Sequence, residues 1–220
     1  RWHGTCKAPA MYFRILHDPD RGELSYLLAD LDAGEAVLVD PRSGDLPVLL
    51  ALLAERDLRL RWVLRTHHHD DRQPGELSRL ARLGAPVVQG QAAAGARAGV
   101  DGELLPFGNE LVRVMATPGH TAFCLSFAWR DRVFCGGLLA PQACAHQPRP
   151  ASAPALWDSV TARIFTLPDE TLLFAGQMDG GRGVSTVLEQ RRGNRHFAGG
   201  SRDGFLARMA ERSDQFEFSE

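Results

Sequence analysis

Apolar and polar residues alternate through the first part of the chain. Met11–His17 (MYFRILH) and Leu24–Asp30 (LSYLLAD) read as short strands, parted by the turn-forming Asp18-Pro19-Asp20-Arg21-Gly22. Residues 35–40 (EAVLVD) make a third strand, which Pro41 stops. From Asp45, a capping residue type, the apolar positions switch to helical spacing over residues 46–56. Residues 58–65 return to strand. A second helix spans residues 75–83 and ends at Gly84, a residue suited to the left-handed conformation after a helix.

Further on, residues 86–89 read as a short buried strand and the small, Gly/Ala-rich residues 91–102 as a loop. Strands follow at residues 103–106, Glu110–Ala116, 122–129 and 132–135, with Arg130-Asp131 turning a hairpin between the last two. Residues 142–154, rich in Pro, Ala and Ser, read as a surface loop. A helix over residues 156–165, a strand over 171–175, a helix over 184–192 and an amphipathic helix over 202–212 complete the pattern. Nothing repeats and no shift in composition marks a boundary. The pattern predicts one domain over residues 11–220 behind a tail of residues 1–10, with two sheets packed together and helices outside them.

Composition narrows the function classes. With 220 residues, 44% hydrophobic and 24% charged, the chain can bury a full core. A net charge of −2 gives no electrostatic reason to expect nucleic acid or an anionic membrane as partner. No apolar run reaches the length of a membrane span. Cys6, Cys124, Cys135 and Cys144 form no CxxC pair, which favours reduced thiols and a cytosolic home.

Chemistry concentrates in Thr66-His67-His68-His69-Asp70-Asp71-Arg72, directly after a hydrophobic strand. Imidazoles and carboxylates are the ligand types that Zn²⁺ and Fe²⁺ accept. Alternate residues leaving a strand point the same way, so His67, His69 and Asp71 are placed to converge. About fifty residues on stands Thr117-Pro118-Gly119-His120-Thr121, whose Pro-Gly turn aims His120 back across a sheet. Three neutral imidazoles would supply the protein's share of a tetrahedral site and leave one position for water. Gly180-Gly181-Arg182-Gly183 reads as a plain loop, with an anion cradle before the next helix as the alternative.

The His-x-His-x-Asp loop followed by Pro-Gly-His-Thr resembles the metallo-β-lactamase superfamily, and its persulfide dioxygenase and glyoxalase II branch most. Supporting stretches are LSYLLAD, AVLVDP at residues 36–41, IFTLP at 164–168 and VSTV at 184–187. The resemblance implies a four-layer αββα sandwich with metal at one edge of the sheets. It also implies departures. The family's Asp-His ends here as Asp71-Arg72, its Gly-Asp pair is Gly136-Gly137, and the histidine of its Pro-Ala-His-Asp segment falls on Gln177. Its Cys-Gly-Arg-Thr-Asp-Phe run keeps only Cys144, followed by Ala145-His146-Gln147-Pro148.

A two-metal hydrolase has too few ligands left. The family's facial triad for one Fe²⁺ maps to His67, His120 and Gly137, with His69 at hand as a substitute. The reading is thus at most one Fe(II) or Zn(II), or none, held by His67, His69 and His120. Asp71 acts as base or orients a ligand, and Cys144 and Arg72 lie on the side of a small thiol persulfide or thioester. A degenerate member that binds a ligand or partner without turnover is the alternative, and a metal-dependent hydrolase the second. A homodimer is left open.

Overall fold

The computed structural model describes residues 10–69 and 73–214, and these form two six-stranded sheets face to face with helices on both outer sides. The first sheet takes strands in chain order: β1 (Met11–His17), β2 (Leu24–Asp30), β3 (Glu35–Val39), β4 (Arg59–Leu64), β5 (Val87–Gln89) and β6 (Ala96–Ala98). β1, β2 and β3 are antiparallel, and β3 through β6 run parallel. The second sheet holds β7 (Leu104–Phe107), β8 (Glu110–Ala116), β9 (Leu125–Trp129), β10 (Arg132–Gly136), β11 (Leu172–Asp179) and β12 (Arg182–Thr186). Its pairs are antiparallel except β10 with β11.

Period-two alternation assigns each strand's faces. In β2, Leu24, Tyr26 and Leu28 enter the layer between the sheets, where they meet Val114, Phe127, Phe134 and Phe174. The alternate residues Leu27 and Ala29 turn outward under helix α1 (Leu46–Glu55), which contributes Leu46, Leu49, Leu52 and Leu53. All of β2 is therefore buried, although one of its faces lies outside the sandwich. Helices α3 (Ala153–Ser159), α4 (Val187–Gly193) and α5 (Arg202–Asp214) cover the second sheet through Leu156, Val187 and Phe205. Across the central layer, the Tyr26 hydroxyl donates to the Ala175 carbonyl, joining β2 to β11.

The expected sandwich is present, and the differences from the sequence reading are local. The segment at 91–102, read as a loop, contains β6 paired parallel to β5. The helix expected from residue 184 begins at Val187, because residues through Thr186 extend β12. Asp179 pairs with Arg182, so Gly180-Gly181 is a two-residue hairpin turn and no anion cradle. The helix expected at 75–83 is α2 (Glu76–Leu80) and a 3₁₀ turn. After α3 the chain runs on in π-helical form over Val160–Ile164. The tail assigned to residues 1–10 lies, but for Ala10, outside the described residues.

Candidate metal centre

The histidine loop leaves the end of β4 under tight backbone control. The Thr66 N–H donates to Asp40 Oδ1 at 2.7 Å, and the Leu125 N–H at the head of β9 donates to the Thr66 carbonyl at 2.8 Å. Residue 66 thus joins the first sheet to the second. β10 arrives at the same point through a register shift between Phe134 and Gly136. Gly136 has φ +53°, and a Cβ there would lie 2.4 Å from Thr66 Oγ1. Only glycine permits both the conformation and the approach.

His120 comes from the other side. Its preceding residue, Gly119, has φ +142° and packs so closely on α3 that an added Cβ would fall 2.3 Å from Leu156 Cα. The carbonyls of Gly119 and His120 accept from the N–H groups of Ser152 and Ala151. The Pro-Gly turn read from the sequence is therefore clamped against the start of α3.

The three rings meet. Centroids of His67 and His69 are 5.2 Å apart, of His67 and His120 4.9 Å, and of His69 and His120 5.8 Å, all edge-on. His69 and His120 are buried, and His67 is half-buried at the floor of a cleft of about 520 Å³. Burial, reinforced by the neighbouring rings, holds the His67 imidazole well below its usual range. Burial and His69 bring His120 down to about 4. Neutral imidazoles are the form a metal requires.

A hydrogen-bond relay fixes the tautomer of His67. Thr66 Oγ1 donates its single proton to Asp40 Oδ2 at 2.7 Å and lies 2.9 Å from His67 Nδ1. The hydroxyl must then accept from Nδ1–H, which leaves the lone pair on Nε2. His120 Nε2 is buried and makes no hydrogen bond. A desolvated ring nitrogen without a partner is costly unless an ion or water meets it. These features fit one metal ion.

Other predicted residues fall as follows. Cys144 was placed on a surface loop, and the structure instead buries it completely, with Sγ 3.2 Å from His69 Nε2. Its loop is exposed at Ala145, but the thiol turns inward beneath the cleft. Asp71 and Arg72 lie outside the described residues. Gly137 does face the centre, since a Cβ there would lie 2.7 Å from His120 Nδ1. Gln177 lines the cleft with a buried Oε1 that accepts no hydrogen bond. Cys124 and Cys135 are core residues, Cys135 donating to the Phe174 carbonyl.

Asp40 is a further residue of the centre that the sequence motifs do not mark. It supports the relay from a left-handed backbone, φ +49°, and burial pushes its carboxyl up to about 6 against the Thr66 hydrogen bonds. An aspartate closing a strand just before a proline was the signal available. The rim beyond carries ion pairs. Arg42 pairs with Asp18 at 3.2 Å and with Asp45, and Arg79 pairs with Glu76 at 3.0 Å.

Two mixed sheets with helices outside and imidazoles gathered where strand ends meet define the metallo-β-lactamase fold. No protein-family model matches the chain. The crystal structure of ETHE1 from Myxococcus xanthus is similar with a TM-score of 0.80 and 35% identity, covering 91% of each chain. Human mitochondrial persulfide dioxygenase ETHE1 is 34% identical over 196 residues, 86% of this chain and 76% of the relative. A hydroxyacylglutathione hydrolase of Methylococcus capsulatus is 37% identical over 159 residues, 68% of this chain and 59% of the relative. The chain belongs to the persulfide dioxygenase and glyoxalase II-like branch of the metallo-β-lactamase superfamily.

Proposed function

We propose that the protein acts on a small thiol persulfide, using one metal ion held at the imidazole cluster on the cleft floor. The observation that carries this reading is the meeting of three imidazole rings, His67, His69 and His120, in a chain whose relatives include persulfide dioxygenases. A bound ion would supply Lewis acidity toward sulfur or oxygen and, if iron, access to O₂ chemistry. Asp40 and Thr66 hold His67 in the tautomer that presents Nε2. Gln177 offers an acceptor to a donor group of the substrate. The cleft is of a size for a small peptide thiol.

Dioxygenation of R–S–SH consumes O₂ and water and yields R–SH, sulfite and two protons. Hydrolysis of a thioester consumes only water and yields a thiol, a carboxylate and one proton. The two are told apart by oxygen uptake with glutathione persulfide, measured beside the metal content of the purified protein. We expect about one equivalent of iron or zinc, with oxygen uptake in the iron-loaded form. Metal with thioester cleavage and no oxygen uptake would select the hydrolase. No metal after growth in iron- and zinc-supplemented medium would overturn both and leave a ligand-binding protein. The replacements at Gly137 and Gln177 are what favour that last reading.

A further inference from the structure

Among the described residues, one group of metal-ligating atoms gathers within 4.8 Å: those of His67, His69 and Cys144. His120 adjoins the two imidazoles by its ring but is not a member of this group. The thiol is fully buried and its Sγ touches His69 Nε2, a nitrogen of ligating type, at 3.2 Å. Of the other buried thiols, Cys124 Sγ lies 3.1 Å from the Thr121 hydroxyl and 3.8 Å from His120 Nδ1, behind the ring, and Cys135 donates to a backbone carbonyl.

The spacing is that of coordination. Zinc–sulfur and zinc–nitrogen bonds of about 2.3 and 2.0 Å at a tetrahedral angle separate the two ligand atoms by about 3.5 Å. The sulfur–nitrogen contact of 3.2 Å therefore places the two atoms nearly as an ion between them would. The charge balance points the same way. Position 137 carries no carboxylate, and the space its side chain would enter is filled by the His120 ring. A thiolate at residue 144 would restore an anionic ligand from the opposite loop.

We propose that Cys144 is a metal ligand, its thiolate joining the imidazole cluster of His67, His69 and His120 as the anionic ligand of a zinc-type site. Binding displaces the thiol proton: Cys–SH and M²⁺ give the metal thiolate and H⁺, with no change of oxidation state. A soft sulfur ligand in place of a carboxylate turns the site's preference from Fe(II) toward Zn(II). The inference rests on the proposed function only in that an ion occupies the cleft floor.

The test is cobalt substitution of the whole chain, read by absorbance, together with zinc affinity by chelator competition. Wild-type protein should show a near-ultraviolet thiolate-to-cobalt charge-transfer band. Cys144→Ser should lose the band and weaken zinc binding by about tenfold or more, while Cys135→Ser keeps both. Cobalt bound without that band in the wild type would overturn ligation by Cys144 and leave the metal reading standing. The wild-type spectrum decides this even if the serine variant fails to fold. No binding of cobalt or zinc would overturn both readings.

Discussion

Gln177 sits near the end of β11 with its side-chain oxygen buried and accepting no hydrogen bond. Such an atom forfeits its hydration without compensation until a donor arrives. Gln177→Met keeps the length of the side chain and removes the acceptor. We expect this variant to be more stable by about 1–2 kcal/mol in urea unfolding, and to lose affinity for whatever ligand supplies the donor. Unchanged stability would mean that the oxygen already has a partner. The replacement of the family's histidine was legible from the aligned motif, but the orphaned oxygen was not, because satisfaction of a buried atom depends on its neighbours in space. The same holds for Cys144. Its Pro-, Ala- and Ser-rich surroundings read as a surface loop, and composition averages over a segment in which single residues turn in different directions.

Among the elements, the turn before His120 leaves no room for a side chain at Gly119. Gly119→Ala must accommodate both a left-handed φ and a collision with the backbone of α3, which cannot yield as a side-chain tip would. We expect a loss of about 3 kcal/mol or more in stability, and weaker metal binding because His120 is displaced with its turn. Retention of wild-type stability by denaturant titration would rule out the clamp between Gly119 and Leu156. Long, strongly patterned elements such as β1, β2, β8 and α1 were legible in the sequence because their periods are clean. β6 escaped notice because Ala96–Ala98 has three residues and no alternation of large side chains. The strand–helix boundary at Thr186 was hidden for a different reason. Thr186 caps α4 through a reciprocal capping box with Glu189, and the apolar position at Val184 before it fits either element.

For the molecule as a whole, stability should depend on pH through Asp40. Its carboxyl titrates at about 6 in the fold, above the ordinary aspartate value near 3.9. The folded state therefore binds the proton more tightly than the unfolded chain. The contribution is fully present below about pH 4 and is lost as pH rises through about 6. Relative to Asp40→Asn, the chelator-treated wild type should gain about 2 kcal/mol on going from pH 7 to pH 4. A pH-independent difference between the two in urea titrations would remove Asp40 as the source. Asparagine tolerates the left-handed backbone at this position and does not titrate, so the pH-dependent part of the difference reports on the Asp40 carboxyl.

Each sheet is knitted from one uninterrupted stretch of chain, the first from residues 11–98 and the second from 104–186. Neither borrows a strand from the other, and the histidines and the cysteine sit on loops and turns where the two stretches adjoin. Natural selection can therefore rewrite the chemistry along this seam by single codon changes while leaving the pairing of every strand intact. A lineage can drift from one metal to another, or to none, without passing through an unfolded ancestor.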